Sequence, residues 1–315
     1  MDTKDNSRKF PGNVLARTAP AALFALWSVV FAWVLWAEPA AIRTFASPAE
    51  ASKALFQAAQ AGDTAALMAI FGADGKDIVF SGDPAEDKRN RDRFVEKYQQ
   101  MTRLVEEADG TVWLYIGAEN WPMPVPLTHK GNRWYFNTAA GKDEILFRRI
   151  GQNEIAAMQA MQELVAAEKE YYSQARDDGP KQYAPHFFSD GSKHDGLFWQ
   201  AAAGGKESFI GLVLADAGKD LLNTRPNPFY GYYFRVLTSQ GRNAAGGTKD
   251  YIVDGKMTGG FAFIAYPAEY GNSGIMSFAI DQDGTLYQKD LGRDTAKLAE
   301  GLSQYDPDQT WSKVE

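Results

Sequence analysis

Cysteine is absent from the 315-residue chain. That excludes thiol nucleophiles, disulfides, thiolate-held metals and a lipid attached through an N-terminal Cys. A surplus of positive charge is absent too: 33 Lys and Arg stand against 40 Asp and Glu, a formal net charge of −7. A phosphate backbone is bound by grouped cations, and the body of the chain has no Lys/Arg cluster, so nucleic acid is excluded as a partner. No fixed-period repeat occurs. Catalytic signatures are also missing. Gly-x-Ser-x-Gly does not occur, and Thr138-Ala139-Ala140-Gly141-Lys142 lacks the first glycine and the closing hydroxyl of a phosphate loop. What is present is core material. Hydrophobic residues make up 45% of the chain, and eight Trp, fourteen Tyr and nineteen Phe offer large areas to bury, so the chain reads as folded.

One long apolar run interrupts this pattern. Residues 19–37 read APAALFALWSVVFAWVLWA without a charge. As a helix rising about 1.5 Å per residue, the run nearly covers a hydrocarbon core about 30 Å thick. Trp33 and Trp36 sit near its distal end, where indole rings favour the membrane interface. Lys4, Arg8, Lys9 and Arg17 precede it against Asp2 and Asp5. By the positive-inside rule the N-terminus stays in the cytoplasm and everything after Glu38 is exported. Two readings follow, an uncleaved anchor or a cleaved signal peptide. The run exceeds the roughly 7–15 residues of a signal core, while Thr44-Phe45-Ala46 offers a cleavage site and Leu35-Trp36-Ala37 a poorer one. The expected location is the inner membrane, single-pass with a periplasmic body, or the periplasm after cleavage.

The rest reads as an α+β chain in two parts. Residues 1–46 form the cytoplasmic tail and apolar segment, 47–150 a first domain, 151–295 a second and 296–315 a C-terminal tail. Ser47-Pro48-Ala49-Glu50 is a helix start with a capping-box pattern, and the spacing predicts helices over 48–61, 64–71 and 83–100. Strands are expected over 111–116, 125–128 and 133–137, the last two joined by a turn at His129-Lys130-Gly131-Asn132. Pro122, Pro124 and Pro126 suit an edge strand. A long amphipathic helix over 153–176 follows, with Ile155, Met158, Met161, Leu164, Val165 and Glu168 setting its spacing. After a loop-rich stretch come strands over 230–238, 260–266 and 274–287. Within them the aromatic run Phe229-Tyr230-Gly231-Tyr232-Tyr233-Phe234 reads as strand core or as an exposed interaction surface.

Several blocks carry resemblances. The Pro-Met-Pro-Val-Pro-Leu strand turning into Arg133-Trp134-Tyr135-Phe136-Asn137 looks like the cone-shaped folds related to nuclear transport factor two. That resemblance implies a helix-plus-curved-antiparallel-sheet domain around a pocket, in a class with both enzymes and binders. The second domain, a long helix and then an antiparallel sheet, resembles the heads of type IV pilins and pseudopilins, on Asn153-Glu154-Ile155-Ala156-Ala157-Met158 and the run from Ser277 to Tyr287. A pilin stalk is continuous with its own membrane segment, whereas here about 110 residues intervene. Taken together, Ser81-Gly82-Asp83-Pro84, Asn120-Trp121-Pro122, Lys193-His194-Asp195-Gly196-Leu197, Gly231-Tyr232-Tyr233-Phe234-Arg235 and Met257-Thr258-Gly259-Gly260-Phe261-Ala262 resemble one bacterial family of exported proteins. It is the domain-of-unknown-function family numbered 2950, which implies no activity.

Candidate chemistry is sparse. His186, Asp190, His194 and Asp195 form the richest cluster of titratable groups and are candidate binding residues, with ordering of a Gly-rich loop as the alternative. Asp281-Gln282-Asp283-Gly284 resembles the start of a calcium loop, so Asp281 and Asp283 are candidate metal ligands; a plain hairpin turn is the alternative. Asp83, Asp87, Tyr98 and Trp113 stand where a cone pocket would lie and could serve isomerase-type chemistry. The expected function is therefore an envelope protein that binds an envelope partner or small ligand without catalysis and without a cofactor. An isomerase or hydrolase, and a pseudopilin-like assembly component, are the alternatives.

Overall fold

The computed structural model describes residues 42–175, 179–189, 194–198 and 228–315. The apolar run 19–37 and the candidate ligand Asp190 lie outside them. Among the described residues no helix is long and apolar enough to cross a membrane.

Helix α1 (Pro48–Ala61) starts where its cap signals: Ser47 Oγ accepts from the Glu50 N–H at 3.1 Å, with Pro48 in the first turn. Glu50 reaches back one residue further than a capping box requires and accepts from the Ala46 N–H at 2.9 Å. Gly62, at φ +65°, turns the chain, and Asp63 caps helix α2 (Thr64–Phe71). A short helix that the spacing does not mark, α3 (Lys76–Val79), precedes α4 (Pro84–Gln100), which is capped by Asp83. Strands β1 (Thr102–Glu106), β2 (Val112–Ile116), β3 (Trp121–Pro122), β4 (Leu127–Lys130) and β5 (Arg133–Phe136) form an antiparallel sheet. Its order is β1-β2-β4-β5, and β3 also pairs with β2. Val112, Leu114 and Ile116 point inward and meet Leu55, Ile70 and Phe136 in a first core. Phe45 belongs to it as well: it is fully buried and exchanges both backbone hydrogen bonds with Trp134, at 2.8 and 2.9 Å. The expected proline edge strand is reduced. Only Pro122 joins β3, opposite Tyr115, while Pro124 lies in a bend and Pro126 just ahead of β4, because each proline removes a ladder donor.

The long helix differs most from expectation. Helix α5 (Thr138–Ser173) runs 36 residues and starts at Thr138 rather than at Asn153. Asn137 caps it, and Thr138 Oγ1 donates to the Phe71 carbonyl at 2.6 Å, which ties its first turn to the first core. Periodicity misses these turns because Ile145 and Phe147, on the helix before Asn153, are exposed. The expected division at 150/151 thus falls inside a continuous helix.

Beyond α5, β6 (His186–Phe188) pairs in parallel with β7 (Gly196–Phe198). Next come β8 (Tyr232–Leu237), β9 (Ser239–Gln240), β10 (Lys249–Asp250), β11 (Ile252–Val253), β12 (Lys256–Met257), β13 (Ala262–Pro267), β14 (Met276–Asp281) and β15 (Leu286–Asp290). The supposed tail 296–315 is part of the fold, carrying most of helix α6 (Thr295–Gly301) together with β16 (Gln304–Tyr305) and β17 (Ser312–Lys313). Ala299 and Tyr305 are buried in the second core, too apolar to leave in water. The main sheet runs β17-β15-β14-β13-β8, antiparallel throughout. All six residues of β13 are buried, which alternation allows only if both faces are covered. Helix α5 packs on β13 and β14, and α6 packs on β13, where Arg235 donates to the Ala299 carbonyl at 2.6 Å.

Candidate functional site

The first core leaves space beside α4. A cleft of about 240 Å³ opens between α1, α2, α3 and α4, with Leu55, Leu67, Phe71 and Val79 among its lining residues. A second cleft, about 570 Å³, runs on along α4 toward β2 and β3, between Phe94, Ile116, Trp121 and Pro124. The two share Asn90, Phe94 and Met123. Positions 90, 94 and 97 are spaced to put Asn90, Phe94 and Lys97 on one stripe of the helix.

Local structure fixes where this stripe points. Gly82, at φ +96°, lets the chain double back ahead of Pro84, and Asp83 caps the helix by accepting from the Ala85 N–H at 2.8 Å. Asp87, nearly buried, accepts from both the backbone N–H and the hydroxyl of Ser81, each at 2.7 Å. Those Ser81 bonds hold its carboxyl below the usual carboxylate range. At the outer cleft Lys97 pairs with Glu119 at 2.9 Å, and that bond likewise keeps Glu119 ionised to lower pH. Arg93 stands on the same rim with no hydrogen bond or ion pair among the described residues. From α5, Arg148 donates to the Pro122 carbonyl at 2.6 Å, pairs with Glu144 at 2.7 Å and lies over the Trp121 ring at 5.4 Å. This clamps the cleft's far wall.

The residues that could have served isomerase chemistry do not converge. Asp83 is occupied with its cap and Asp87 with Ser81. The Tyr98 hydroxyl meets Ser52 Oγ on α1 at 3.0 Å, and Trp113 lines neither cleft. A carboxyl held low by two donors is also a poor general base at neutral pH.

The candidates in the second half fall differently. Strand pairing sets His186 opposite Gly196, so the chain at His194 and Asp195 comes to the same end of a two-stranded ladder. Both His186 and His194 are exposed, and the Tyr171 hydroxyl donates to the His194 carbonyl at 2.5 Å. Asp281 Oδ1 accepts from the N–H groups of Asp283 and Thr285 at 3.0 and 2.9 Å, and Tyr305 donates to Oδ2 at 3.4 Å. The hairpin turn between β14 and β15 thus engages Oδ1, and Tyr305 on β16 engages Oδ2. No group of three or more His, Cys, Asp or Glu able to hold a metal occurs among the described residues.

Sequence reasoning missed the chemistry of Glu168. It is fully buried on α5, accepts from the Ala184 N–H at 2.8 Å through Oε2, and has no partner for Oε1 among the described residues. Burial pushes its carboxyl up to about 8. The signal was a glutamate at an inward position, in step with Met161, Leu164 and Val165.

No curated protein and no solved structure matches the chain. The family described as "Protein of unknown function (DUF2950)" matches residues 42–314, which is most of the chain and all but one of its last 274 residues. The chain belongs to that family.

Proposed function

We propose that this is a non-catalytic binding protein of the cell envelope that holds a small ligand in the groove beside α4. The observation that carries the reading is the pair of mainly apolar clefts that share Asn90, Phe94 and Met123 in their walls, with the nearby carboxylates engaged in capping and pairing. A concave apolar site with few polar groups suits recognition without chemistry. It needs no cofactor. The helix-and-sheet enclosure is what a cone-like domain would provide, and α5 packed on β13 and β14 is what favours a pilin-head-like second part.

The location rests on residues 19–37, as a tether in the inner membrane with the body in the periplasm. Cleavage after Ala46 is disfavoured because it would remove Phe45 from the first core, together with its two bonds to Trp134. Losing a buried Phe from a core costs about 3–5 kcal/mol. If processing occurs, it belongs upstream, near Ala37. The mass of the mature N-terminus tests this: a start at Ser47 would sink the argument.

For the groove, the full chain is isolated from its native envelope and weighed intact under non-denaturing conditions. A bound small molecule is expected on the wild type. It should be absent from Asn90→Trp, which places an indole where the two clefts meet without disturbing a buried residue. An adduct carried equally by both proteins overturns the reading.

A further inference from the structure

The groove's charge is uneven, and this points to the chemistry of its ligand. We infer that the groove takes an elongated amphiphile with an anionic head, its head held at Arg93 and its chain passing Phe94 and Met123 into the cleft under α1 and α2. The inference rests on the binding reading above and adds ligand class and orientation to it.

Two observations carry it. At the outer rim Lys97 is answered by Glu119, while Arg93 has no ion pair or hydrogen bond among the described residues, which leaves that rim with a surplus of one positive charge. A guanidinium presents a fork of donors matched to a carboxylate or phosphate. At the inner cleft the charges that line the opening are Asp77, Asp87 and Arg91. Asp77 faces Lys142 at a loose 3.4 Å, and Asp87 is held ionised by Ser81. Arg91 and Lys142 offset these two carboxylates, so the inner opening has no surplus positive charge to draw an anionic head, whereas the outer rim has one, and the head is favoured at Arg93.

The walls decide the rest. The two clefts are walled by Phe94, Met123, Leu55, Leu67 and Phe71 among others, with Asn90 as a polar side chain in both linings. The outer one, about 570 Å³, lies within the range of small-molecule sites, and the inner one, about 240 Å³, extends the wall a chain can cover. A compact polar solute would leave those walls in water, whereas a chain removes them from it. Met123 is an adaptable wall for a flexible chain.

The test uses the full chain in phosphatidylcholine bilayer discs, with empty discs as the blank, titrated calorimetrically with dodecanoate, octanoate and dodecan-1-ol. Dodecanoate is expected to bind about tenfold tighter than dodecan-1-ol, the value of one charge-assisted contact. Octanoate should be weaker by roughly fourfold for each methylene lost. Arg93→Gln should bring dodecanoate down to the level of the alcohol, and Asn90→Trp should abolish both. Both variants alter exposed positions, and unchanged thermal unfolding confirms their fold. Equal binding of acid and alcohol by the wild type overturns the ligand class but leaves the groove in place. A carboxylate preference that survives Arg93→Gln overturns the head position. Binding that ignores Asn90→Trp overturns the groove itself, and with it the proposed function.

Discussion

Strands β2 and β13 are each flanked by partners on both edges, yet β2 alternates buried with half-buried residues while β13 buries all six. The cause lies in what covers them. Helix α4 leaves clefts along β2 and β3, and its outer face carries exposed ion pairs such as Lys88–Asp92. Around β13, α5 and α6 close both faces, and a cleft beside it is only about 30 Å³. Side chains in the second core thus have their full set of neighbours, and those beside α4 do not. The contrast teaches that the two halves answer differently to truncation. Phe263→Ala, at a fully buried β13 position stacked near Phe187 and Phe261, is expected to lower stability by about 3–5 kcal/mol. Phe94→Ala should cost less than half as much, because its ring already borders open space. Denaturant unfolding measures both, and equal losses would erase the distinction.

A second way to sharpen the contrast is pH. Glu168 in the second core holds its proton up to about 8 when folded and releases it near 4.5 when unfolded. Between those values the folded state binds more protons, so stability falls as pH rises, by about 1.4 kcal/mol per unit within the window. Below 4.5 both states are protonated and the slope vanishes; above 8 the loss is complete. The groove half has the opposite sign. Asp87 is held low, so its contribution is present above the ordinary carboxylate range and is lost only in acid. Glu168→Gln mimics the neutral carboxyl and should flatten the decline between pH 5 and 8, amounting to a few kcal/mol. Stability measured across that range decides: an unchanged slope removes Glu168 as its source.

How much of this was legible follows the same division. Caps and turns were readable because their chemistry is local. Ser47, Asp63 and Asp83 cap as their types require, and Gly131 turns the hairpin at φ +60°. The start of α5 was not readable, since it is fixed by Thr138 bonding to Phe71, a contact across 67 residues. The same holds for β16, whose partner β9 is distant in sequence and runs parallel to it. At the site, Asp87 was visible as an acidic group but not as a structural one, because only the fold reveals that Ser81 occupies it. Glu168 stood in the apolar stripe, yet periodicity does not say whether a carboxyl so placed finds a partner.

Ser277 makes a smaller probe. Its hydroxyl is buried in the second core with no hydrogen-bond partner among the described residues. A buried polar group left unpaired costs about 1–3 kcal/mol, against the slight loss of packing when one oxygen is deleted. Ser277→Ala is therefore expected to leave stability unchanged or raise it by up to about 1 kcal/mol, seen as a higher denaturation midpoint. A clear drop would mean that the hydroxyl has a use in this core.

The smallest expected effect on the fold is also the one that best separates stability from binding. Glu119 is exposed and its ion pair with Lys97 spans the rim of the outer cleft, where solvent screens it. Removing the charge should leave the unfolding midpoint where it is. The ligand should respond differently. In the wild type Glu119 both neutralises Lys97 and repels an anionic head at Arg93. Glu119→Gln frees the ammonium and removes the repulsion, so dodecanoate should bind a few-fold tighter while dodecan-1-ol is unaffected. The gain should shrink as salt is raised from 0.01 to 0.15 M, since the Debye length falls from about 30 to about 8 Å. A variant that is destabilised but binds no better would place Glu119 among the residues that hold the fold. One that keeps its stability and gains affinity only for the acid places it in the groove's recognition of charge.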